Sequence, residues 1–452
     1  MAKDPVPELL ARATEALEAV FLDLDDAPDL ETNGLADVLN ETARRLGDNY
    51  PYFHPLYAGQ MLKPPHPVAR AAYALAMKLN PNNHALDGGR ASSAMEVEAV
   101  KQIAAMFGWS EFLGHLTSSG TFANLEALWM ACQVAPGKRI VGSEQAHYTH
   151  ARISGVLKLD FTSVSSNERG QMDLNALEDE LRKGVVGAVV ATLGTTAIGA
   201  VDPLDEILKL RERYPFRVHV DAAYGGYFNL IADELDAPAQ KAFEAIGRAD
   251  SIVIDPHKHG LQPYGCGCVL FKNPAEGRFY KHDSPYTYFT SHELHLGEIS
   301  LECSRAGAAA VALWATQRLL PLAPGGEFAR GLASGRRAAL ELDRRLRADA
   351  RFVPLAAGKP ELDIVVWALP READLGTRSA LAQRVFDACA VRGVHLALVQ
   401  LPARWFGPAV DAEGNAGTIT CLRSVLMKPE HEAWIDEIWK RLDAASSEIL
   451  SG

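Results

Sequence analysis

Cysteine is scarce in this chain, with six in 452 residues, scattered except for Cys266 and Cys268. That scarcity excludes a disulfide framework and fits a reducing compartment, so the cytoplasm is the expected location. Positive charge is also short: 45 Lys and Arg face 57 Asp and Glu, for a formal net charge of -12. Nucleic acid and anionic membrane surfaces are therefore not expected partners, and an anionic small molecule would need a local positive site. No long apolar run opens the chain, so neither a signal peptide nor a membrane span is expected. There is no internal repeat or low-complexity tract. The remainder has the make-up of a soluble globular protein, 48% hydrophobic and 23% charged, and its length suggests about two or three structural units.

Apolar spacing predicts a helix from Val6 to Phe21, then an acidic stretch from Asp23 to Glu31. That stretch lacks the central glycine and terminal glutamate of a calcium loop and reads as a solvated linker. A second short helix ends near Leu46, and Tyr50 to Tyr57 is a loop rich in proline and aromatics. Pro67 opens a helix, and Ser93-Ala94-Met95-Glu96 has the form of a capping box for the next one. From Gly114 onward short apolar runs alternate with helical stretches. Strands are predicted at Gly114–Thr117, Arg139–Gly142, Val185–Leu193, Arg217–Val220 and from Ser251. This alternation predicts an α/β fold with a mostly parallel sheet covered on both faces, its functional residues at the strand ends. Pro321 to Gly326 reads as a boundary, followed by a smaller C-terminal α/β unit. The expected division is an N-terminal helical segment over 1–60, a large domain over 61–320 and a small one over 321–452.

The run Ser251-Ile252-Val253-Ile254 is closed by Asp255-Pro256-His257-Lys258-His259-Gly260. Pro256 forbids continuation of the strand, which leaves Lys258 in a loop at its carboxyl end, where parallel sheets bind ligands. Charge on the flanking histidines would disfavour the ammonium form and suit a Schiff-base lysine. Thr117-Ser118-Ser119-Gly120-Thr121 follows a strand and opens a helix, which makes it either an anion cradle or an ordinary helix cap. Asp221 closes another strand with small residues behind it, placed to meet a pyridinium nitrogen or simply to serve a turn. Thr195 and Thr196 end a further strand, Asp202 before Pro203 reads as an N-cap or as a group that orients a neighbour, and His147 is placed either to stack on a ring or to fill space. The order is cradle, histidine, threonine pair, aspartate, lysine, each at the end of a successive strand. It is the order expected of a pyridoxal-phosphate enzyme.

Across roughly Tyr50 to Trp314 the chain resembles the group II pyridoxal-phosphate decarboxylases, the family of aromatic-amino-acid, tyrosine, glutamate and aspartate decarboxylases. The resemblance rests on His219-Val220-Asp221-Ala222-Ala223-Tyr224, Asp255-Pro256-His257-Lys258 and Ala191-Thr192-Leu193-Gly194-Thr195-Thr196. It implies fold type I, the PLP-dependent transferase-like fold, with pyridoxal 5'-phosphate as cofactor. Lys258 would bind the cofactor aldehyde, and Asp221 would pair with the ring nitrogen. His147 and Ala223 would cover the two ring faces, Gly120 and Thr121 would hold the phosphate, and Thr196 and His257 would complete the shell. A tyrosine on a loop, Tyr288 in preference to Tyr286, would protonate the substrate carbon. The family also implies a homodimer, with Ser300 reaching the neighbour's phosphate. Phe122, Cys303 and Ala306 depart from the family pattern and weaken any transfer of substrate choice.

The expected substrate is a small-molecule L-amino acid. Tyr52, Phe53, Tyr57 and Tyr264 point to an aromatic one, whereas Arg423 is either an exposed structural arginine or a clamp for an acidic side chain. Two other readings compete: a lyase of the same fold that cleaves a Cα–Cβ bond, of the kind acting on phosphorylated sphingoid bases, and a scaffold that keeps the fold without turnover. A metal site at Cys266-Gly267-Cys268 or His292-Glu293-Leu294-His295 has the wrong spacing, so no metal is expected.

Overall fold

The computed structural model describes residues 4–21, 32–84, 88–281, 299–370, 374–407 and 417–450. Seven short apolar runs become the strands β1 (Leu113–Thr117), β2 (Arg139–Ser143), β3 (Phe161–Val164), β4 (Val186–Thr192), β5 (Arg217–Asp221), β6 (Ser251–Ile254) and β7 (Gly267–Phe271). They form one sheet in the order β1-β7-β6-β5-β4-β2-β3. The β3-β2-β4-β5-β6 ladders are parallel, and β7 runs antiparallel between β6 and β1. The mostly parallel α/β sheet expected from the alternation is therefore present. β4 is buried at every position, as a parallel strand covered on both faces must be. In register, Asp221 lies opposite Thr192 on one side and Val253 on the other, so the carboxyl ends of β4, β5 and β6 are level.

The remaining strands are β8 (Val353–Pro354), β9 (Ile364–Ala368), β10 (Ala397–Pro402) and β11 (Thr418–Val425). They form a separate sheet in the order β10-β11-β9-β8, antiparallel throughout. Its apolar face packs on the helices Glu327–Arg347, Leu375–Val391 and His431–Leu450, with Trp367, Leu342, Val385 and Ile438 in one buried cluster.

Several local expectations change on folding. β3 was not predicted: its four residues sit at the sheet edge, and only Val164 is buried, so the apolar signal is weak. The Ser93–Glu96 capping box does not form, because the helix begins at Arg90 and Ser93 lies inside it. Glu96 instead accepts from Asn83 Nδ2 at 2.6 Å, Leu116 N at 3.0 Å and Arg305 at 2.5 Å, partners that only tertiary folding supplies. Asp202 is not an N-cap either. It is fully buried and accepts from the Met172 and Thr192 N–H groups, each at 2.7 Å, tying β4 to the segment before the Leu174–Leu181 helix. The acidic stretch Asp23–Glu31 lies outside the described residues. The Leu35–Leu46 helix buries none of its residues, and Leu35, Val38, Leu39 and Leu46 are all more than half exposed.

Candidate active site

A pocket of about 200 Å³ opens at the carboxyl ends of β4, β5 and β6. Its lining includes Gly120, Thr121, His147, Thr196, Asp221, Ala223, His257 and Lys258, so eight predicted residues from five separate stretches of chain converge. Tyr288, with Tyr286 and His292 to His295, lies outside the described residues.

β6 stops at Ile254, and the turn that follows carries Lys258 back so that its Nζ lies 3.1 Å from Asp255 Oδ2. This corrects the expected electrostatics. His259 is 1% exposed, and burial holds its imidazole well below the ordinary value, so it contributes no positive charge beside the lysine. The near neighbour of Lys258 is instead the Asp255 carboxylate. His257 donates from Nδ1 to the Cys266 carbonyl at 2.7 Å and stacks on Tyr264 with ring centroids 4.8 Å apart.

Asp221 is held at both oxygens. Oδ1 accepts from the Ala223 N–H at 3.1 Å, while Oδ2 accepts from His150 Nε2 at 2.8 Å and from Asn124 Nδ2 at 3.4 Å. Burial alone would raise its pKa, but the His150 hydrogen bond, with the positive charge of Lys258 nearby, outweighs that and holds it well below the usual carboxylate range. Asn124 is itself aligned by His219, whose Nε2 donates to Asn124 Oδ1 at 2.8 Å. Burial lowers His219 to about 3, so that ring is neutral. His147 is kept neutral mainly by burial, and its Nδ1 accepts from the Thr149 N–H at 3.3 Å, which puts the ring proton on Nε2.

The cradle is narrower than the sequence suggested. Ser119 caps the Gly120–Val134 helix through Oγ, accepting from Phe122 N at 3.2 Å, and Ser118 N already donates to Glu302 at 2.8 Å. Gly120 and Thr121 line the pocket, and their first-turn N–H groups carry no other hydrogen bond among the described residues. A Cβ on Gly120 would lie 2.4 Å from Asp255 Oδ2, so this position admits only glycine without a shift. Thr195 turns inward, where its Oγ1 accepts from Ala200 N at 3.0 Å, and leaves Thr196 to the pocket.

Other predicted residues are not brought here. Tyr52 and Tyr57 pack edge to face, ring centroids 4.9 Å apart, and Phe53 lines a different cavity, so of the four aromatic candidates only Tyr264 adjoins the pocket, through His257. Arg423 is buried, not exposed. It donates to the carbonyls of Ala197 at 3.0 Å and Thr196 at 2.7 Å and to Gln60 Oε1 at 3.2 Å, fastening β11 to the loop after β4. Ser300 bonds Glu126 at 3.4 Å. Cys266 and Cys268 are buried, and no metal-binding cluster occurs among the described residues. Sequence reasoning missed His150, Asn124 and Asp255. His150 and Asn124 lie about one helical turn beyond His147 and Gly120, the only local signal for either.

The residues fit pyridoxal phosphate. Asp221 offers a buried anion for a protonated ring nitrogen, Ala223 leaves room for a flat ring, two helix N–H groups suit a phosphate, and Lys258 supplies an amine. Asp255 Oδ1 and Thr192 Oγ1, both lining residues, are buried without a partner among the described residues.

Fold and pocket together define a pyridoxal-phosphate-binding protein of fold type I. Residues 50–369 match the family described as the pyridoxal-dependent decarboxylase conserved domain, and the chain belongs to that family. Among curated relatives, the L-tyrosine decarboxylase of Enterococcus faecium is 31% identical over 388 residues, covering 64% of this chain and 64% of that protein. The chain therefore matches less than two thirds of that relative's length. A probable L-aspartate decarboxylase of Archaeoglobus fulgidus is 29% identical, covering 55% of this chain and 66% of its own. Among solved structures, mouse CSAD in apo form superposes with a TM-score of 0.78 at 21% identity, covering 96% of this chain and 92% of its own. Oryza sativa TDC with PLP and tryptamine gives 0.77 at 18% identity, covering 99% of each chain. At these identities the structural likeness is one of fold.

Proposed function

We propose that the chain decarboxylates an L-amino acid, preferably an aromatic one, to the amine and carbon dioxide. The observation that carries this reading is the convergence of the Lys258 amine and the Asp221 carboxylate on one pocket. Bound pyridoxal phosphate supplies an electron sink for the pair released as the carboxylate leaves. Asp221, fixed by His150 and Asn124, keeps the ring nitrogen protonated. The Gly120 and Thr121 N–H groups hold the phosphate, and the neutral His147 ring and Ala223 bound the two faces. Lys258 would supply the amine that holds the cofactor and would afterwards hold a proton near the reacting carbon. Tyr288 is assigned the delivery of the proton to that carbon. The aromatic preference is supported by Tyr264 beside His257 and by the names of relatives, tyrosine decarboxylases among them.

The test is to offer purified, pyridoxal-loaded protein the common L-amino acids and measure amine and carbon dioxide together. Equal amounts of both from an aromatic substrate support the reading; an aldehyde without carbon dioxide would point to Cα–Cβ cleavage instead. We further propose a cytoplasmic homodimer. The uncovered apolar face of the Leu35–Leu46 helix supports a second copy as its partner, and light scattering in solution checks it.

A further inference from the structure

A second cavity, of about 470 Å³, lies between the segment from Lys63 to Pro67, the turn at His259 and Leu261, the Glu327–Arg347 helix and the turn after β11. That volume is within the roughly 300–1,000 Å³ usual for small-molecule sites. It shares no lining residue with the pocket holding Lys258, yet the two are adjacent through the Lys258–His259 peptide bond.

Much of its wall is apolar, with Pro65, Phe328 and Met427 prominent, but it also contains two lysines. Lys63 Nζ donates to the Met427 carbonyl at 3.2 Å, and Lys428 Nζ donates to the Tyr57 carbonyl at 2.6 Å while lying 5.2 Å from the Tyr57 ring centre. Lys428 is only 3% exposed. Neither ammonium has a carboxylate within 4.0 Å among the described residues, and each spends one of three donors on a neutral carbonyl. The carboxylate nearest in effect to Lys63, Asp363, already accepts from Tyr224 Oη at 2.5 Å. Glu430 pulls on both lysines from beyond ion-pair distance, and Glu327, His66 and Arg330 complete the charged groups of the wall.

Burial lowers Lys63 to about 8 and Lys428 to about 7, as expected of cations without adequate counter-charge. A separate observation points the same way: His259, 1% exposed and lining this cavity, has an Nδ1 with no hydrogen-bond partner among the described residues.

We propose that this cavity binds a small amphipathic carboxylate, an aryl or branched-alkyl acid. Its carboxylate meets Lys63 and Lys428, and its apolar body lies along Pro65, Phe328 and Met427. Such a ligand supplies the anion the lysines lack and touches His259, next to Lys258.

Phenylacetate is the probe. Calorimetry on the full chain loaded with pyridoxal phosphate should show one site per chain, weakened about tenfold or more by Lys428→Met. Lys428→Arg should retain binding, and the visible absorption of the bound cofactor should be the same in both variants. Phenylacetamide, which has the same body without charge, should not bind. Should Lys428→Met fail to fold, hydrogen exchange on the parent protein decides: phenylacetate should slow exchange over 427–431. Equal affinity of the parent and Lys428→Met, no slowing at 427–431 under saturation, or binding of inorganic phosphate but not phenylacetate would each overturn the proposal.

Discussion

His150 Nε2 donates to Asp221 Oδ2 across 2.8 Å, and both side chains are buried, with His150 Nδ1 left without a partner among the described residues. An imidazole donating from one nitrogen, with the other unpartnered, acts as a fixed hydrogen-bond donor that holds the carboxylate in one orientation. Replacing His150 with Phe removes that donor from a buried anion, at a cost of about 1–3 kcal/mol. The expected outcome is a roughly tenfold or greater rise in the cofactor dissociation constant, measured by equilibrium dialysis. Unaltered cofactor affinity would show that Asp221 needs no such support.

Lys258→Ala should abolish both the visible absorption of the cofactor–lysine adduct and all product. Absorption spectra after dialysis against pyridoxal phosphate read the first, and amine release reads the second. A variant that keeps its parent's spectrum removes the lysine from its proposed role.

Gly120→Ala places a methyl 2.4 Å from Asp255 Oδ2. Asp255 also faces Lys258 at 3.1 Å, so a shift of its carboxylate disturbs the lysine as well. Overpacking of this kind costs typically about 1–3 kcal/mol. Thermal unfolding should therefore fall in the cofactor-free protein, and cofactor affinity should fall with it; full retention of both would mean the helix start relaxes freely.

Glu361 accepts from Val201 N at 2.6 Å and Gln171 Nε2 at 2.9 Å, and its burial raises its pKa from 4.5 to about 7. Asp202, also buried, rises from 3.8 to about 6. A carboxyl whose pKa is higher in the folded state binds its proton more tightly there. Its contribution to stability is thus full below the unfolded value and is lost as pH rises through the folded one. For Glu361 that window runs from about pH 4.5 to 7 and is worth on the order of 3 kcal/mol. Relative to the parent, Glu361→Gln should become progressively more stable between pH 5 and pH 8. Urea unfolding at several pH values measures it, and parallel stability curves would contradict it.

The large sheet was legible because burial on both faces demands the continuous apolar runs seen at Val186–Thr192 and Ser251–Ile254. The edge strand Phe161–Val164 was not, because half-exposed positions carry little pattern. Eight of the nine proposed site residues were recognisable as polar or small residues at strand ends and in short motifs, and they meet in one pocket. Tyr288 lies outside the described residues. The aromatic candidates misled because Tyr52 and Tyr57 found each other, a pairing that spacing does not encode.

By itself the sequence determined the alternation of strand and helix, the strand ends at Asp221 and before Asp255, and so the edge of the sheet where chemistry gathers. Periodicity and chain-breaking residues are local properties. Only the tertiary structure decided that His150 supports Asp221, that Lys258 faces a carboxylate and not charged histidines, that Glu96 anchors Arg305 instead of capping its helix, and that Lys63 and Lys428 share one cavity. Those outcomes depend on desolvation and on partners tens to hundreds of residues away, and only packing of the whole chain brings them together.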